Sequence, residues 1–142
     1  AYTVYAFVSS HVDTGMFGAY AAVEPPKSLE TTGLLLEQLF RLKRERVTEH
    51  ELNGAKEYIK GNLFLAAENS ENQMVRLAQN EFHFGCNIPL KTVVEQIDAV
   101  TPDHILELMN TLLKDNTLSL TLLGQVADRS AHEKLLNEYV NP

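Results

Sequence analysis

Histidines on a helix are the residues of this sequence that could most readily hold a metal. Two short helical patterns bind zinc through paired histidines, H-x-x-E-H and H-E-x-x-H. Residues 46–50 read R-V-T-E-H, so Arg46 stands where the first pattern needs a histidine, and a guanidinium cannot be a zinc ligand. The second pattern starts at His50 but has Gly54 where its other histidine would lie. We interpret His50 as an exposed residue in the first turn of a helix.

The remaining reactive side chains form no constellation that defines a reaction. His83 and Cys86 are close in sequence, but no second pair completes a tetrahedral metal site. No serine lies in a nucleophile-elbow pattern, and no glycine-rich phosphate loop is present. Several carboxylates could act as acids or bases, yet their spacing is that of ordinary turn and cap residues: Asp13, Glu24, Asp98 and Asp103. We therefore predict that this chain holds neither a metal nor another cofactor.

Composition restricts the class of protein. The 142 residues suit one domain, with 44% hydrophobic and 22% charged residues. A net charge of -7 argues against nucleic acid as a partner, because phosphate binding needs clustered lysine and arginine. The basic run 41–46 ends a predicted helix, where it complements the helix dipole and stays solvated. No apolar run reaches membrane-spanning length, and Cys86, as the single cysteine, excludes an internal disulfide.

Hydrophobic periodicity predicts an α+β fold. We expect strands at 1–8 and 16–23, a helix from Pro25 to about 46, helices within 48–85, at 90–98 and from 102, a strand at 117–123, and a helix at 131–140. The first two strands read as an antiparallel hairpin, and the first is apolar on both faces, so we expect it to be covered on both sides or central in the sheet. The helices should pack on one face of an antiparallel or mixed sheet.

The stretch 47–85 is predicted to be two successive helices or one bent helix. Thr48 and Glu51 form a capping-box pattern at its start, Ser70 and Gln73 suggest a second one, and Gly85 is a candidate C-cap. Three- and four-residue spacing predicts an inward face, with the charged residues outside. The inward positions are Leu52, Ala55, Ile59, Leu63 and Ala66, and the solvated ones are Glu49, Lys56, Glu57 and Lys60.

Four motifs in succession resemble the second half of inverted zinc metallopeptidases, the insulinase and pitrilysin relatives. They are A-Y-T-V-Y-A-F with D-T-G-M-F-G-A-Y, then V-T-E-H-E-L-N-G-A-K, V-T-P-D-H-I and L-T-L-L-G. Nearly the whole chain is covered, in the right order, and the mitochondrial-processing-peptidase-like bacterial branch is the most similar. The resemblance implies one α+β half of a clam-like chamber, whose other half carries H-x-x-E-H, the zinc and the general base.

The resemblance also implies roles for this chain. It would enclose a peptide substrate, opposite the N-terminal half of the same protein, without being catalytic alone. Tyr2 falls on a family tyrosine that faces the substrate, where a phenol can donate to the oxyanion or to the peptide backbone. The alternative is a non-catalytic subunit or assembly protein of the same fold. Relatives pair their halves or subunits, so we expect an oligomer.

The start of the sequence leads to a further expectation. The chain lacks an initiator methionine and opens directly on a strand pattern, so we expect a single domain over 1–142 that is the C-terminal fragment of a longer chain. Substrate sequence and compartment stay open, with the cytoplasm slightly favoured.

Overall fold

The computed structural model describes residues 1–114, 117–126 and 128–140. The secondary structure of these residues confirms the α+β prediction. Its elements are β1 (Thr3–Ser10), β2 (Gly15–Ala22), a 3-10 turn (Pro25–Lys27), α1 (Ser28–Arg44), α2 (Glu49–Ala67), α3 (Ser70–Phe84), α4 (Leu90–Asp98), α5 (Pro102–Leu112) and α6 (Arg129–Val140). The chain divides into two compact units, residues 1–44 with 109–142 and residues 45–108. That the whole chain is one domain of a longer protein stays a prediction.

The antiparallel hairpin of the first unit forms as predicted. β1 pairs with β2 so that Tyr5 lies opposite Tyr20 and Phe7 opposite Gly18. The rings of Tyr5 and Tyr20 lie 4.9 Å apart, and the Phe7 ring covers Gly18, where a Cβ atom would overlap it. A side chain at position 18 would therefore force the Phe7 ring to move, while the backbone conformation of Gly18 places no demand for glycine.

The prediction that β1 is covered on both faces is wrong for this structure. Val4 is 59% exposed on one face and Tyr5 is 51% exposed on the other. Within the described residues the sheet has two strands. The predicted strand at 117–123 is also not formed, since its described residues have no regular structure. Alternation of leucine with threonine and serine favours an extended chain, but a strand exists only where a neighbour pairs with its backbone.

A small core in the first unit joins α1, α6 and the end of α5. Leu36 and Met109 are each 4% exposed, and Leu113 is 8% exposed. The Phe40 and Tyr139 rings pack 5.2 Å apart near the ends of α1 and α6. Leu36 lies at the centre of α1, so the middle of this helix faces the core.

The second unit contains α2, α3, α4 and most of α5. Its helix ends follow the sequence signals closely, because caps depend on residues three or four positions apart. The Thr48–Glu51 capping box is present, and Gly85 ends α3 in the left-handed conformation with φ of 66°. The second capping box is wrong by one position: Asn69, not Ser70, caps α3, and its side chain accepts from the amides of residues 71 and 72.

The inward face of α2 differs from the prediction in its orientation. Leu52 is buried as expected, but Ile59 is 46% exposed, whereas the Lys60 side chain is only 16% exposed. The ammonium group of Lys60 lies 2.6 Å from Glu57 and 2.9 Å from Asp98 at the end of α4. Lysine can take an inward position here because its stem is apolar and its charge has two carboxylate partners.

Candidate functional site

Tyr2 lies just before β1 with its side chain 76% exposed. Its backbone amide donates to the carbonyl oxygen of Ala22 at 2.7 Å, which ties it to the end of β2. Its hydroxyl donates to Oε1 of Glu24 at 3.4 Å. The phenol is therefore accessible to a ligand and has a polar neighbour that the sequence analysis did not connect with it. That this tyrosine contacts substrate stays a prediction.

Glu24 is held at the junction between β2 and the 3-10 turn. It precedes Pro25 and has an extended backbone, with φ of -63° and ψ of 143°, as the residue before a proline favours. The amide of Lys27 donates to the Glu24 carbonyl oxygen at 2.9 Å, and the Lys27 ammonium lies 3.9 Å from Glu24 Oε2. The two carboxylate oxygens thus have different neighbours, Tyr2 and Lys27. Both contacts are solvent-exposed.

The residues at the degenerate zinc pattern are not arranged as ligands. Thr48 is the extended N-cap of α2, with ψ of 151°, so position 46 precedes the helix while His50 lies in its first turn. Arg46 instead pairs with Asp103 at 2.6 Å. Paired zinc ligands at this spacing need one helix face, which positions 46 and 50 do not share. The chain therefore fails the pattern in geometry as well as in residue type.

The other candidate ligands are equally dispersed. His83, near the end of α3, makes ring contacts with Phe82 and Phe84, and Cys86 is exposed. Among residues 1–114, 117–126 and 128–140, no three histidine, cysteine, aspartate or glutamate side chains are grouped so that they could hold a metal ion. These residues do not fit zinc, and no chemical step is assigned to a metal on this chain.

The basic end of α1 plays a structural part that the sequence did not reveal. Lys43 was expected to stay solvated, but its ammonium donates to the Leu113 carbonyl oxygen at 2.6 Å and lies 5.8 Å from the Phe40 ring centre. In return, the Asn110 side chain donates to the Lys43 carbonyl oxygen at 3.1 Å. A cavity of about 540 Å³ opens beside these contacts, and its lining includes Arg44. The prediction of a freely solvated end is wrong at Lys43.

His132 is a buried polar residue that the sequence analysis also missed. It is 3% exposed in the first turns of α6, and its Nδ1 lies 2.7 Å from the Asp128 carbonyl oxygen. Its Nε2 has no hydrogen-bond partner within the described part of the chain. The residue belongs to the core of the first unit. Its spacing from Leu135, Leu136 and Tyr139 puts it on the same helix face, a signal that the sequence analysis did not use.

These features define a domain with an exposed phenol held beside a carboxylate and without a metal-binding cluster among its described residues. Comparison with known proteins shows the family that the chain is similar to. Residues 1–59 match the family described as the Peptidase M16 inactive domain. The chain is 30% identical over 116 residues to a Bacillus subtilis protein named as an uncharacterized zinc protease, YmxG, across 82% of this chain and 28% of that protein.

Two further relatives match a larger share of the chain. A Mycobacterium leprae protein named as an uncharacterized zinc protease is 28% identical over 99% of this chain and 32% of its own length. The beta subunit of the mitochondrial-processing peptidase of Saccharomyces cerevisiae is 25% identical over 93% of this chain and 30% of its length. The chain thus spans less than a third of the length of these relatives. The match to the M16 inactive domain and to proteins named as zinc proteases confirms the resemblance to insulinase-like zinc peptidases that the motifs showed.

Proposed function

We propose that this chain is the substrate-enclosing, C-terminal part of a zinc-dependent endopeptidase that cleaves peptides or unfolded segments. The observation that carries the proposal is that 82% to 99% of the chain aligns with proteins named as zinc proteases. In addition, residues 1–59 match the family's domain that is described as inactive. Zinc and the general base would be held by polypeptide outside this chain, in an N-terminal half of the same protein. The chain alone would be inactive.

Tyr2 is the residue through which the chain would assist the reaction. Its exposed hydroxyl can donate one hydrogen bond, either to the oxyanion that develops on the scissile carbonyl or to the substrate backbone. The hydrogen bond from the Tyr2 amide to the Ala22 carbonyl oxygen limits the positions that the phenol can occupy. This favours one defined contact between the phenol and the substrate.

The alternative is a non-catalytic subunit or assembly protein of the same fold. The observation that favours it is the match with a protein named as one subunit of a processing peptidase. Such a protein would bind peptide or partner subunits and associate through apolar surface, without taking up zinc. In the described part of the chain, none of the helices is long and apolar enough to span a membrane.

The experiment that separates the two functions uses the full-length protein. An endopeptidase should contain about one zinc ion per chain and cleave an unstructured peptide, with both properties lost in a chelator. The 142-residue chain should do neither. The same fold and peptide binding in a full-length protein that takes up no zinc would support the subunit and refute the peptidase.

A second experiment examines Tyr2 in the same protein. The Tyr2→Phe substitution removes only a hydroxyl, so turnover should fall about tenfold. This is less than the roughly hundred- to thousandfold loss for a buried oxyanion-hole donor, because the site is exposed. Thermal unfolding should not change. Tyr20→Phe, on the paired strand, is the matched control and should leave turnover unchanged. Equal kinetics for wild type and Tyr2→Phe would return Tyr2 to a purely structural role.

A further inference from the structure

We infer that Glu24 is a positioning residue for Tyr2, an inference that rests on the proposed function. Its carboxylate accepts a hydrogen bond from the phenol hydroxyl in the free protein and so favours one position of the hydroxyl until a substrate oxygen replaces the carboxylate as acceptor. The inference starts from the hydrogen bond between the Tyr2 hydroxyl and Glu24 Oε1. Nothing in the sequence pattern couples these residues, which are 22 positions apart.

The acceptor is itself fixed from three directions. Pro25 follows Glu24 directly and restricts its backbone to the extended conformation that it adopts. The Lys27 amide bonds to the Glu24 carbonyl oxygen, which closes the turn. The Lys27 ammonium faces the second carboxylate oxygen at 3.9 Å, which leaves Oε1 for the phenol. A carboxylate on a restricted backbone positions the Tyr2 hydroxyl more closely than a carboxylate on a flexible loop would.

The same junction fixes the backbone of Tyr2. The amide of Tyr2 bonds to Ala22, two residues before Glu24, so the phenol and its acceptor are attached to one end of the hairpin. A tyrosine side chain has only two rotatable angles before its ring is placed. The backbone hydrogen bond to Ala22 and the contact between the hydroxyl and Glu24 together favour one setting of these two angles. The ordering of this side chain is thereby partly completed before substrate binds.

The exchange of acceptors needs no proton to leave Tyr2. The hydroxyl hydrogen turns from the Glu24 oxygen to the substrate oxygen, and one hydrogen bond is broken as another forms. The bond to Glu24 is long, at 3.4 Å, and exposed, so it is easily replaced. A short, buried bond at this place would compete with substrate instead. Because the hydrogen bond from Tyr2 to Glu24 is weak, removal of the Glu24 carboxylate should lower the rate only modestly.

The kinetic test is a double-substitution cycle in the full-length peptidase. Glu24→Ala should lower kcat about threefold, and Tyr2→Phe about tenfold. The double variant should resemble Tyr2→Phe, because Glu24 acts only through the phenol, rather than showing the thirtyfold loss of two independent effects. Glu24→Gln keeps an acceptor oxygen and should retain most activity. Glu30→Ala, which removes an exposed carboxylate from the first turn of α1, is the control for charge.

A measurement on the 142-residue chain supplies a readout besides activity. In carbon NMR spectra, Glu24→Ala should shift the ring resonances of Tyr2 and increase their rotational averaging, while those of Tyr5 stay in place. Unshifted Tyr2 resonances would overturn the inference. So would multiplicative losses in the kinetic cycle, or full activity of Glu24→Ala beside an impaired Tyr2→Phe. Normal turnover in Tyr2→Phe would overturn the role of Tyr2 itself and the inference with it.

Discussion

The capping box of α2 gives the prediction whose size follows most directly from the structure. Thr48 Oγ1 accepts the Glu51 amide at 3.2 Å and donates to Glu51 Oε2 at 3.0 Å, and that carboxylate oxygen also accepts the Thr48 amide at 3.0 Å. Thr48→Ala removes the first two bonds and leaves the third possible. Because the site is exposed, water can replace the lost partner of the Glu51 amide.

We expect Thr48→Ala to lower the free energy of unfolding by about 1 kcal/mol, the usual cost of losing an N-cap side chain. The exposure keeps it below the upper limit of about 2 kcal/mol. With a urea dependence of about 2 kcal/mol per molar, the midpoint should fall by roughly 0.5 M. The assay is urea unfolding of the 142-residue chain, followed by circular dichroism.

Two further variants test the assignment. Thr48→Ser keeps the hydroxyl and should retain nearly all of the stability. Glu51→Ala in the Thr48→Ala background should cost less than it does alone, because the two residues share their hydrogen bonds. A midpoint that is unchanged in Thr48→Ala, or two effects that simply add, would refute the capping box as a source of stability.

Three more predictions concern other parts of the chain. Hydrogen bonds that the Lys60 ammonium donates to Glu57 and then to Asp98 raise the pKa of Lys60 above the ordinary lysine value of 10.5. The stability that the Lys60 ion pairs add to the folded protein should be complete below the unfolded pKa of about 10.5 and be lost as the pH rises through the higher folded pKa. The urea midpoints of wild type and Lys60→Met should therefore converge only in strong alkali. Arg46→His completes the H-x-x-E-H sequence, but position 46 lies before the start of α2, so isothermal titration should detect no gain in zinc affinity. Tight binding of one zinc ion would contradict the start of α2 at Glu49. Leu36→Ala, at a position 4% exposed, should cost about 3 kcal/mol in urea unfolding, and a loss below 1 kcal/mol would mean that this core contributes little.

Part of the candidate site could be predicted from sequence and part could not. The position of Tyr2 followed from the resemblance, and the failure of the zinc pattern followed from Arg46. Glu24 was noted only as one of several acids, since its contact with Tyr2 depends on how β1 pairs with β2. The bond from Lys43 to Leu113 joins residues 70 positions apart, and local periodicity carries no information about such a contact.

The sequence by itself determined the features that depend on neighbouring residues. These features are the six α-helices of the described residues, the cap at Thr48, the end at Gly85 and the hairpin turn. They all arise from hydrogen bonds and backbone preferences within a few positions. The tertiary structure decided which face of α2 turns inward, with Lys60 in place of Ile59, and left 117–123 without a strand partner. Burial and strand pairing depend on what a distant segment supplies, in the case of Lys60 the carboxylate of Asp98.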